Sequence, residues 1–468
     1  MRWRTRFRTR TKRHGQARTK RHGQARAKRD GQVTRQFGLK WRLGIGVAFF
    51  AVLVGGVAFA MNTPGGRTVN AHPAAGAGFS TLLPQPDPST LATSATGTPT
   101  ASTSASPSSA AKKPKSAKKA AAAKHAANRV TPASRSFGVA GGSSLATLSN
   151  AELNSRLSGM AALGIGWVRF DVEWSNIGHA GPGTYEWTDY DRVVRAVVAQ
   201  GLKPLAILDY TPTWARLPEC VDTPTCRPSN EADFGTFAGA AAAHYRSIGV
   251  RTWEIWNEPN IQQYYAPKPD PGSYTAMLKA AYGAIKAVDP GAVVITGGTS
   301  PTDTTGDGST IRSTDFLTAI YADGGKGSFD AVAHHPYTFP YTPVHAFPGG
   351  AWSDLPALHS IMSSHGDGTK QVWATEYGAP TGGPGSLVTA DARKVYPSST
   401  FVSESLQAKI ATNAVGSYRK WSWVGPMFWY AYQDAGTNTS TIENFFGLLR
   451  ADGSHKPAYD AYRAAIQK

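Results

Sequence analysis

Acidic side chains are almost missing from the first 135 positions of this 468-residue chain. Only Asp30 and Asp87 stand there, against 25 Lys and Arg, whereas positions 136 to 468 hold 29 acids and 24 bases, a net of −5. The formal charge of +18 therefore belongs to the N-terminal third. The larger remainder lacks the clustered cations that displace counterions from phosphates, which excludes a globular nucleic-acid-binding domain. Cysteine is nearly as scarce: Cys220 and Cys226 are the two in the chain, and both fall in one proline-rich stretch. A G-x-G-x-x-G turn is absent after the first apolar run, where residues 138 to 142 read GVAGG, and this argues against a doubly wound dinucleotide-binding sheet.

What the first third does contain divides into three parts. Residues 1–42 form a basic tail in which an octad recurs as RTKRHGQA, RTKRHGQA and RAKRDGQV. Dense like charge with no apolar face should keep it unfolded, as a solvated tail or one touching anionic headgroups. Residues 43–61, LGIGVAFFAVLVGGVAFAM, lack any charge or proline. As a helix they would reach about 28 Å, enough for the roughly 30 Å hydrocarbon core of a bilayer. The basic flank Lys40–Arg42 then places the N-terminus in the cytoplasm and everything after Met61 outside, as a single-pass signal-anchor. Cleavage at the small-x-small site Ala58–Ala60 is the alternative, and it would make the protein secreted. Residues 62–135 are an Ala/Ser/Thr/Pro linker with too little apolar content to fold.

From residue 136 to 468, short apolar runs alternate with amphipathic stretches. Strands are expected at 138–141, 167–174, 203–210, 252–259, 293–300, 329–337, 371–378 and 424–434. Helical patterns lie between and after them, at 146–163, 190–200, 231–247, 273–288, 314–322, 354–364, 402–420 and 457–467. Eight such pairs predict an α/β fold of the (β/α)8 TIM-barrel type, with the active site at the C-terminal strand ends. Asp171, Glu173, Asp209, Asn257, Glu258, His334, His335, Tyr337, Glu376, Gln433 and Asp434 all fall near those ends.

Glu258 ends the fourth strand in W-N-E-P, and Glu376 ends the seventh in A-T-E-Y-G. Two carboxyl groups facing each other across a barrel mouth can cleave a glycosidic bond. In the retaining mode they lie ~5–5.5 Å apart, one acting as nucleophile and the other as acid, then base. The N-E-P on strand four with W-x-T-E-x-G on strand seven resembles the clan A glycoside hydrolases. WEIWNEPN, the H-H-P-Y of strand six and the closing FGLLRADGSHKPAY look most like family 39 and the cellulase-like sequences near it, over roughly 137–467.

That resemblance implies Glu258 as acid/base and Glu376 as nucleophile. Glu258 has to stay protonated near neutrality, which Trp256 and a charged Glu376 would favour, and Glu376 has to stay ionised. It also implies Arg169 as the cation holding Glu376, Tyr337 as a donor to it, Asn257 on the sugar 2-hydroxyl, and Trp429 as a sugar platform. His335 and Trp174 are further substrate-binding candidates. Arg169 could instead form a buried ion pair with Glu254, which is expected inside the barrel. Strict strand alternation sends Asn257 and Glu258 to opposite faces, so both reach one site only if the strand ends or bulges there. Trp214, Tyr264, Tyr265 and Trp352, at expected loops, are further aromatic candidates for subsite walls, since aromatic faces stack on pyranose rings. The His334–His335 pair has no third ligand at recognisable spacing, so no metal and no cofactor are expected. Outside a membrane, Cys220 and Cys226 would pair as a disulfide stiffening a rim loop.

These features together predict a membrane-anchored extracellular retaining hydrolase of β-linked oligo- or polysaccharides, monomeric, whose barrel does not bind nucleic acid. A carbohydrate-binding pseudoenzyme and a transglycosylase on the same barrel are the rival readings.

Overall fold

The computed structural model describes residues 136–346, 349–391 and 400–468. The basic tail, the expected membrane span at 43–61 and the linker lie outside these residues. Among the described residues no helix is long and apolar enough to cross a membrane.

Eight parallel strands close on themselves in sequence order: β1 (Phe137–Ala140), β2 (Trp167–Glu173), β3 (Lys203–Asp209), β4 (Thr252–Asn257), β5 (Val293–Gly298), β6 (Ala331–His334), β7 (Gln371–Tyr377) and β8 (Val424–Tyr430). A helix of ten or more residues follows each: α1 (Asn150–Leu163), α2 (Thr188–Ala199), α3 (Glu231–Tyr245), α4 (Pro271–Val288), α5 (Ser313–Ala322), α6 (Ala351–Ser364), α7 (Glu404–Tyr418) and α8 (Pro457–Ile466). The architecture is the (β/α)8 barrel expected from the strand count. Two strands fall furthest short of their expected runs. β6 stops at His334 and β8 at Tyr430, so the residues that follow become loop at the barrel mouth.

Local chemistry explains the boundaries. Ser149 and Glu152 form a capping box that starts α1, and Gly164 ends it in the left-handed region at φ 90°. Asp270 caps α4, with Pro271 at its first position. α2 buries Tyr190, Val193, Val194 and Val197, one face of a 3.6-residue repeat. α3 and α4 pack closely because Gly235 lies on Ala280: a Cβ there would sit 2.8 Å from the alanine methyl.

Two layers of core result. Ala140, Trp167, Leu205, Ile295, Ala331, Ala333, Trp373 and Phe428 plug the barrel interior. Gly425 is required beside that plug, since a Cβ would meet the Trp373 ring. The larger layer lies between the strands and their helices. Above the plug, toward the C-terminal strand ends, the interior turns polar with Arg169 and Glu254, which are 1% and 0% exposed.

Candidate active site

A cavity of about 710 Å³ opens over the strand ends. Asp171, Asn257, Glu258, Tyr264, Tyr337, Glu376 and Tyr430 are among its walls. Both glutamates reach it because their strands break alternation. On β4, Trp256 and Glu258 take φ of 73° and 46°, an unusual conformation for side-chain-bearing residues. That twist turns Asn257 and Glu258 to the same cavity, and the Glu258 N–H still donates to the Gly298 carbonyl at 3.0 Å. On β7, the register against β8 slips between Ala374 and Tyr377, so two β7 residues, Thr375 and Glu376, oppose one on β8. This bulge lets Thr375 face the interior and Glu376 the cavity.

Arg169 organises the floor. Its Nε and Nη2 donate to Glu254 at 2.7 and 3.0 Å, its Nη1 to Glu376 Oε1 at 2.6 Å, and its Nη2 to Asn257 Oδ1 at 2.9 Å. The two roles considered for this arginine are therefore both present in one side chain. Tyr337 donates its hydroxyl to the other oxygen of Glu376 at 2.8 Å. Burial pushes the Glu376 carboxyl upward, but the charges of His335 and Arg169 and the hydrogen bonds from Tyr337 and Arg169 outweigh it, leaving Glu376 below the ordinary glutamate range.

His335 joins the two glutamates. Its Nδ1 lies 2.9 Å from Glu258 Oε1 and 3.6 Å from Glu376 Oε2, and its Nε2 lies 3.1 Å from Thr375 Oγ1. Thr375 continues to Glu254 Oε1 at 3.2 Å. The two distances to Nδ1 bound the gap between the carboxyl oxygens, and the bound does not exceed the ~6.5 Å at which pairs of the inverting type begin. Gly298 is indispensable below this ring, because a Cβ would sit 2.2 Å from His335 Nε2.

Two expected sugar contacts are corrected. Trp429 is fully buried, with Tyr377 and Tyr462 as ring neighbours and its Nε1 donating to the Phe446 carbonyl. Trp174 is 1% exposed and stacks on Phe237 at 5.6 Å. Trp429 takes an outward position on β8 and Trp174 opens a helical turn after β2; both lie in the core between strands and helices, so neither walls the cavity. Trp256 likewise packs with Tyr210, Phe234 and Tyr265, away from Glu258's cavity. Tyr430, one residue beyond Trp429, takes the inward position on β8.

His334 is separate from the site. It contacts Thr299, Ser313 and the Ala351 carbonyl, and burial pushes its imidazole down to about 3. Asp434 at the far wall pairs with Lys456 at 2.7 Å. Cys220 and Cys226 form a disulfide in the loop after β3. Thr375, Tyr264 and Tyr430 complete the site. Of these, Tyr264 was among the aromatic candidates at expected loops, and the parity of β7 and β8 could have pointed to Thr375 and Tyr430.

A family 39 glycoside hydrolase from the gut symbiont Bacteroides cellulosilyticus WH2 is 25% identical, with a TM-score of 0.51 over 73% of this chain and 66% of that one. This chain thus spans just under two thirds of that enzyme's length. The family 39 enzyme from Xanthomonas axonopodis pv. citri shares the fold at 20% identity and a TM-score of 0.54, covering 72% of this chain and 67% of that one. A GH5_18 enzyme from Streptomyces cattleya, solved in complex with GlcNAc, does so at 17% identity and a TM-score of 0.52, covering 71% and 80%. No curated protein matches the chain. The model of the cellulase family matches residues 130–396, more than half of the sequence. The chain therefore belongs to the cellulases of glycosyl hydrolase family 5, a family of the retaining clan A glycoside hydrolases.

Proposed function

We propose that this protein hydrolyses β-linked glycans by double displacement outside the cell, with Glu376 as nucleophile and Glu258 as acid/base, and with residues 43–61 as its membrane anchor. What carries the reading is the division of labour between the two carboxyl groups. Arg169 and Tyr337 hold one oxygen each of an ionised Glu376, while Glu258 rests on His335 in the same cavity.

In the first step Glu376 attacks the anomeric carbon as Glu258 gives its proton to the leaving oxygen. In the second, Glu258 takes a proton from water, whose oxygen displaces Glu376 from the glycosyl-enzyme. With Oδ1 engaged by Arg169, Asn257 offers its NH2 group to a sugar hydroxyl, a contact that tightens as charge develops at the ring. Glu258→Ala tests the assignment: aryl glycosides with good leaving groups should keep their first-step rate, while ordinary glycosides lose theirs. Equal loss on both would contradict the acid role. The anchor is tested by adding protease to intact cells, which should release the 136–468 domain by cutting the linker.

A further inference from the structure

One corner of the cavity gathers carboxyl groups that the catalytic steps leave unused. Arg169, Asp171 and Glu173 alternate along β2 and so share its inward face. Glu173 is registered against Asp209 at the end of β3. Asp209 is 0% exposed, and neither of its carboxyl oxygens has a hydrogen-bond partner. A buried polar group left in this state requires a reason. The cation acting on this corner is Arg169, which is already committed to Glu254, Glu376 and Asn257. Around the cavity wall, Arg156 is the one basic side chain among the lining residues, and it is held by Gln433.

We propose that Asp171, backed by Glu173 and Asp209, is a subsite for the ammonium group of an amino sugar, so that the substrate is a β-linked glycan bearing free amines. The inference deepens the glycosidase reading and rests on it for the placement of the sugar. Asp171 lines the cavity directly, two residues beyond the arginine that grips Glu376, so an ammonium here belongs to the sugar at the cleavage site or its neighbour. Burial, with repulsion from Glu376 and Glu254, pushes Asp171 up to about 7; burial with the Asp171 charge pushes Glu173 up to about 8, and burial with Asp171 and Glu173 raises Asp209 as well. An empty corner therefore holds protons, and an ammonium replaces them by supplying the charge together with hydrogen bonds. A metal ion is the poorer occupant: among the described residues no three His, Cys, Asp or Glu side chains converge closely enough to hold one.

The test uses the full-length protein and two matched β-linked hexosamine oligosaccharides, one N-acetylated and one with free amines, beside a neutral hexose oligomer. The free-amine oligomer should have the higher kcat/KM by ~10-fold or more, and high salt should shrink the ratio. Asp171→Asn should bring that ratio close to one. Equal rates, or a preference for the acetylated or neutral oligomer, would overturn the proposal even if the variant fails to fold, because the wild-type ratio already decides it. Calorimetry on full-length Glu376→Gln separates the two readings. Preferential binding of the free-amine oligomer without wild-type turnover of any glycan supports the subsite and defeats the glycosidase reading. Turnover of a neutral glycan with no amine preference does the reverse.

Discussion

The carboxyl groups on β4 and β7 and those on β2 and β3 stand around one cavity in opposite electrostatic conditions. Glu254 and Glu376 are each held by Arg169, and Glu258 by His335. Asp209, at the other side, has no partner at all. Glu376 consequently ionises more readily than an ordinary glutamate, whereas Asp171 and Glu173 titrate near 7 and 8. The difference teaches that burial alone does not set acid strength in this barrel: His335, Arg169 and Tyr337 together hold Glu376 down, whereas at Asp171 burial outweighs the attraction of Arg169.

Four measurements would sharpen or break that comparison. Glu376→Ala should lower kcat by roughly 10⁴-fold or more, and added azide should restore turnover with formation of the inverted glycosyl azide; an active variant would remove the partnered group from the chemistry. Arg169→Met strands Glu254 in the interior, and the loss of about 3–5 kcal/mol should appear as a melting temperature lower by roughly 10 °C. A variant of undiminished stability would mean that the arginine's network is dispensable. Tyr337→Phe removes one donor to the nucleophile and should cost about 10- to 100-fold in kcat. It should also move the acid limb of the pH–rate profile upward, since Glu376 then ionises less readily.

The smallest effect is expected at Asp209. Acids whose folded pKa is raised bind more protons folded than unfolded, so they favour folding at low pH and lose that contribution as pH rises past the ordinary carboxylate range toward 7 to 8. The depressed Glu376 works the other way, contributing stability that is lost as pH falls through its folded pKa. Asp209→Asn should flatten the decline in melting temperature between about pH 5 and pH 8. An unchanged slope would mean that Asp209 does not hold its proton more tightly folded than unfolded.

Much of this was readable in advance because a parallel barrel makes its strand ends coincide in space. Glu258, Glu376, Arg169, Asn257, His335 and Tyr337 come together from the ends of four strands, β2, β4, β6 and β7, as motif and strand count implied. Asp171, Glu173 and Asp209 were also legible as inward-facing strand-end residues, but whether a carboxylate has a partner depends on the whole surrounding shell. Trp429 and Trp174 were misplaced because a tryptophan near a strand end looks like a sugar platform, while both lie in the core between strands and helices. The bulge on β7 and the positive φ angles on β4 leave no clear mark in the local sequence, since tertiary packing imposes them.

The backbone at Glu258 has a practical consequence. An L-residue at φ 46° is less comfortable there than glycine by about 1 kcal/mol. Folding and activity therefore pull apart at a single position. Glu258→Gly would discard the proposed acid while relaxing the chain, so a screen that ranks variants by melting temperature alone would reward proteins that fold well and no longer work.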